Sequence, residues 1–97
     1  MNLSGISCGA IASTMNLYYN TIYLNGSSTG TGFSSAAVYM SSTTPTVNLR
    51  NNILVNLSTP TGTGITAALR RVATAMTGYA TTSNNNLFYA GVPSATN

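Results

Sequence analysis

The chain has 97 residues and no Asp, Glu or His; its formal charge of +3 comes from three Arg, Arg50, Arg70 and Arg71. Paired-carboxylate hydrolysis, carboxylate-bound Ca²⁺ and a Ser-His-Asp device therefore have no side chains to use, and a phosphate-tracking face needs more clustered cations than these. Only 3% of residues are charged, against about 25% in ordinary globular proteins, yet 43% are apolar and alternate with small polar ones. Ser, Thr, Asn and Gly must therefore furnish the surface of one small β-rich domain.

In chain order, the first strand is expected around Ile6–Ile11, followed by a turn at Ser13-Thr14. Met15–Tyr19 and Ile22–Asn25 read as strands on either side of an Asn20-Thr21 corner. The Gly- and Ser-rich run from Asn25 to Gly32 is a loop. Ser35–Met40 forms the next strand, and Pro45 ends pairing before Val47–Arg50 and Ile53–Asn56. Thr61-Gly62-Thr63-Gly64 repeats Thr29-Gly30-Thr31-Gly32, and Thr66–Arg70 matches Ser35–Tyr39. Val72–Tyr79 is the variable part, and Tyr79–Ser83 and Leu87–Ala90 complete the series. Ile65–Met76 is the one stretch where a short helix competes.

Aligning the hinge residues Asn20, Asn51 and Asn85 gives spacings of 31 (20 to 51) and 34 (51 to 85) residues. A period in this range marks a stacked repeat. Three short strands per repeat predict an all-β, right-handed parallel β-helix, a single-stranded solenoid of about three coils. Residues 1–97 form one such segment: a partial coil 1–14, coils 15–45 and 46–78, and an incomplete coil 79–97. Alternation points Tyr18, Ile22, Leu24, Val47, Leu49, Ile53, Val55, Leu87 and Tyr89 inward. Asn20, Asn51 and Asn85 are expected to stack as an Asn ladder, each at a corner that demands a left-handed residue, which Asn tolerates. An outward stripe is expected from Tyr23, Leu54 and Phe88.

The strings Tyr19–Leu24, Ser41–Asn56 and Ala80–Gly91 resemble a repeated module of large secreted proteins of Bacteroidota and related bacteria. The resemblance covers about residues 15–95. It implies a right-handed parallel β-helix of the pectin-lyase-like superfamily, within multi-domain parents that often end in a type IX secretion sorting domain. It also implies an extracellular or cell-surface location, and flanking coils of the same parent chain as partners. The chain shows neither a signal peptide nor a sorting domain, as a fragment of such a parent would not. Open strand edges then make the isolated chain prone to aggregate.

The function expected is a non-catalytic structural or interaction segment, an adhesin-like stalk or spacer, with no cofactor, no metal, no nucleic acid and no membrane insertion. The alternative is a carbohydrate-binding or supporting segment of a polysaccharide-degrading β-helix protein. Its candidate contacts are Tyr39 and Arg70, brought together on adjacent coils; the resemblance implies that this strand's outer face forms the saccharide groove. The same pair is equally a structural Tyr–Arg stack. Lone Cys8 reads as a small buried residue. The sequons at Asn2, Asn25 and Asn56 read as chance in an Asn- and Ser-rich chain.

Overall fold

A computed structural model describes residues 2–97. Eight strands account for its regular structure: β1 (Asn2–Cys8), β2 (Thr14–Tyr18), β3 (Thr21–Leu24), β4 (Ser34–Met40), β5 (Thr46–Arg50), β6 (Ile53–Asn56), β7 (Thr66–Arg71) and β8 (Leu87–Tyr89). No helix occurs among the described residues, and half of the stretch where one competed is β7. The reason is tertiary: Ala, Leu and Arg make Thr66–Arg71 a competent helix former, and its parallel pairing with β4 overrides that preference.

Pairing never joins sequence neighbours. The three sheets are β1-β4-β7, β2-β5 and β3-β6-β8, and every recorded pair is parallel. β1, β2 and β3 pair with β4, β5 and β6 in turn, β4 pairs with β7 three places along and β6 with β8 two places along, which sorts the strands into three tiers: β1-β2-β3, then β4-β5-β6, then β7 and β8. Where a third strand would lie on β5, only isolated bridges occur, Val47 to Tyr79 and Arg50 to Asn84. The sheets do not close into a barrel.

The register corrects the expected alignment. Asn2 pairs with Ser34, Thr14 with Thr46 and Thr21 with Ile53, so the first spacing is 32 residues at each point (2 to 34, 14 to 46, 21 to 53). Ile53 then pairs with Leu87. Asn20 consequently sits beside Asn52, one residue past the partner expected. That shift matters because side chains alternate with period two, so a one-residue slip exchanges the faces.

Leu54, expected on the surface, is a core residue at 1% exposure, whereas Ile53, expected inside, is 46% exposed. Val55 is only half-buried, and Tyr18, Leu87 and Tyr89 are exposed rather than inward. The stripe Tyr23, Leu54 and Phe88 does not exist as such. Leu54 lies in register with Ile22 and Phe88, and Tyr23 with Val55 and Tyr89. Val47 and Leu49 are buried as expected, and Ile22 packs against the core.

The core is Cys8, Ala37, Val38, Met40, Val47, Leu49, Leu54 and Ala68, with Ile6, Met15, Leu17 and Leu69 packed against it. Consecutive Ala37 and Val38 both belong to it, so β4 departs from simple alternation. Strand β4 is buried along nearly its whole length because it has a strand on each side.

Candidate functional site

Three places carry enough chemistry to consider: the Asn corner, the two Tyr–Arg pairs, and the last tier's open end.

At the corner, two neighbouring residues divide the work. Tyr19, Asn51 and Asn85 hold positive φ of 55°, 54° and 53°. This left-handed residue turns the chain between β2 and β3, and again between β5 and β6. The next residue points inward and builds the ladder. Asn20 Nδ2 donates to Asn52 Oδ1 at 3.0 Å, and Asn52 Nδ2 donates to Asn86 Oδ1 at 2.9 Å. Backbone amides join in: Asn20 N donates to Asn52 Oδ1 and Asn52 N to Asn86 Oδ1. The Asn52 and Asn86 amides also donate to the carbonyls of Leu17 and Leu49. The ladder is thus Asn20, Asn52 and Asn86. Asn51 and Asn85 are corrected to turn-making residues, because a left-handed residue directs its side chain away from the stack.

Most buried polar groups elsewhere are paired as well, Asn48 Oδ1 being the exception among the described residues. Asn56, fully buried, donates to Ser35 Oγ and the Ala67 carbonyl. Its amide is thereby closed to glycosylation. Thr61 Oγ1 accepts from Phe33 N and donates to the Gly30 carbonyl, tying the two Thr-Gly loops together. Glycine is obligatory at Gly64, where a Cβ would stand 1.8 Å from the Phe33 carbonyl oxygen.

Tyr39 and Arg70 are register partners on β4 and β7, and the Arg70 guanidinium lies 5.4 Å from the Tyr39 ring centroid. Both side chains are half-buried. The cleft beside them, floored by Ser4, Ser34, Ser35 and Ala36, encloses no space for even one water. It is a surface contact, not a pocket.

A second pair of the same kind lies on β2 and β5. Arg50 stands 5.8 Å from the Tyr18 ring and donates through Nε to the Thr82 carbonyl. Tyr18 hydroxyl donates to Asn16 Oδ1 at 2.9 Å, and Asn48 Nδ2 donates to both. Asn48 Oδ1 is buried without a partner among the described residues.

No family model, curated protein or solved structure matches this chain.

Reactive chemistry is sparse. Burial pushes the Cys8 thiol up from its ordinary value, which keeps it protonated and unreactive. Arg71 clamps the segment after β7 by donating to the carbonyls of Thr74 and Ala75. No described helix is long and apolar enough to cross a membrane. Sequence reasoning placed Tyr39 beside Arg70, as the geometry has it. It missed Tyr18 with Arg50 and the Asn48 cluster, because it turned Tyr18 inward. The signal that finds them is the 32-residue spacing from Tyr18 to Arg50.

Proposed function

We propose that this chain is a structural segment of a right-handed parallel β-helix in a secreted or cell-surface protein, serving as a stalk or spacer without catalytic chemistry. The observation that supports it most is the Asn20–Asn52–Asn86 ladder running beside the parallel strands β3, β6 and β8. Such a stack carries load along one axis through repeated neighbour contacts. The absence of Asp, Glu and His from the sequence points the same way. A surface made of hydroxyls and amides suits the outside of a cell.

A second reading is favoured by one observation, the half-buried Tyr39–Arg70 stack beside a shallow cleft. An aromatic face and a forked donor are a sensible saccharide contact, which makes the segment a carbohydrate-binding support. A glycan-array screen of the chain with Tyr39→Ala and Arg70→Ala decides between them. The stalk reading expects no glycan bound. Binding to a polysaccharide fragment that both substitutions abolish overturns it in favour of the second reading.

A further inference from the structure

The two ends of the stack are chemically complementary. At the lower end the ladder stops in an acceptor: Asn20 Oδ1 receives no hydrogen bond among the described residues, whereas Asn52 Oδ1 and Asn86 Oδ1 each receive two, from the backbone and side-chain amides of the Asn beneath. At the upper end it stops in donors. Asn52 sends its backbone N–H and one Nδ2 hydrogen upward, and the corresponding groups of Asn86 have no described partner.

The apolar parts match in the same sense. The upper end exposes Phe88 and Met76, with half-buried Leu69 beside them, around an open cavity of about 510 Å³. The lower end offers Ile6, Met15, Leu17 and Ile22, packed on the core from one side only. Natural sheets guard such edges with charges or Pro; β1, β2, β3 and β8 carry neither, and on β7 Arg70 lies over Tyr39 while Arg71 donates to the Thr74 and Ala75 carbonyls.

We propose that the upper end receives the lower end of a second copy of this chain, head to tail. The inference rests on the stacked-strand reading above, and the new interface repeats the one between β3, β6 and β8. Thr21 of the incoming copy takes the place on Leu87 that Leu87 takes on Ile53 and Ile53 on Thr21. Its Asn20 Oδ1 accepts from the waiting N–H and Nδ2 of Asn86. On the β7 side the Thr96 carbonyl already accepts from Thr66 N, so the incoming β1 engages from Ser4 onward. Because the two surfaces differ, the contact is heterologous and the assembly grows open-ended.

Sedimentation of the full chain over a concentration series tests this. Growing oligomers are expected, and a folded chain that stays monomeric throughout overturns the proposal while leaving the stalk reading intact. Tyr23→Pro supplies the block. Ile53 N donates to the Asn20 carbonyl, so by alternation Ile22 faces β6 and the Tyr23 N–H faces the open edge. Proline there removes an edge donor and no internal bond. Loss of the oligomers is expected, and association equal to wild type overturns the proposal.

Orientation is read separately by mixing Thr21→Cys chains with Leu87→Cys chains under oxidation. Neighbouring parallel strands lie about 4.8 Å apart, within disulfide reach. Mixed disulfides in excess over same-site ones are the expected result. Same-site disulfides in excess mean a symmetric contact and overturn the proposal.

Discussion

Leu54 and Phe88 occupy the same slot on successive tiers, yet one is 1% exposed and the other 44%. Leu54 on β6 has β3 below and β8 above, while Phe88 on β8 has only β6. The neighbouring strands agree: β4 is buried along nearly its whole length and β5 at its three middle residues, whereas all three residues of β8 are exposed. Burial here depends on how many tiers flank a residue as much as on its own hydrophobicity.

The largest test of this contrast is a pair of truncations. Leu54→Ala should cost about 3 kcal/mol, as for a buried Leu whose removal leaves a cavity. Phe88→Ala should cost about 1 kcal/mol despite deleting more atoms, since much of its ring already meets water. Urea unfolding of both variants gives the two values, and equal losses would break the comparison.

The polar interior sharpens it next. Asn52 is the middle rung, accepting from Asn20 and donating to Leu17 and Asn86; Asn20 is the bottom rung, donating to Asn52 and Tyr18. Asn52→Ala removes the acceptor of the Asn20 backbone N–H and of one Asn20 Nδ2 hydrogen, a loss of about 2 kcal/mol. Asn20→Ala should lose about 1 kcal/mol, because its face is open to water. Native-state amide exchange at residues 20 and 52 reads the difference directly. Similar acceleration at both would mean that the ladder is not tiered in stability.

The smallest effect has the opposite sign. Tyr19 holds the left-handed corner that Asn holds in the tiers above, and it is 80% exposed. A tyrosine with positive φ is uncommon, and Asn visits that region more readily. Tyr19→Asn should therefore stabilise the chain by about 1 kcal/mol, visible as a raised melting temperature. No gain would mean that Tyr19 makes a compensating surface contact.

The hinge shows how far these residues were legible. An Asn pair between two apolar alternations, recurring in the sequence, announced a turn with a left-handed residue and a column of stacked amides. Both features are there, but on different residues. Asn51-Asn52 and Asn85-Asn86 are chemically identical pairs, so composition is silent on which member turns and which stacks. Tyr19-Asn20 breaks the tie: Tyr stands at the left-handed position and Asn20 bonds Asn52. Matching Tyr19 to Asn51 in that pattern also turns Leu54 inward and Ile53 outward. Tyr39 beside Arg70 was readable because the two strands run in one continuous alignment, whereas Tyr18 beside Arg50 was lost with the misplaced corner.

By itself the sequence determined an all-β chain of short strands with a repeat of 31 to 34 residues, and it removed carboxylate and imidazole chemistry. Strand propensity, turn residues and periodicity are local properties, and local order suffices to display them. Only the tertiary structure decided the register, and with it the ladder's membership, the core's and the surface's. Register is set by interactions between residues more than 30 positions apart, where a one-residue slip costs nothing locally and exchanges the two faces.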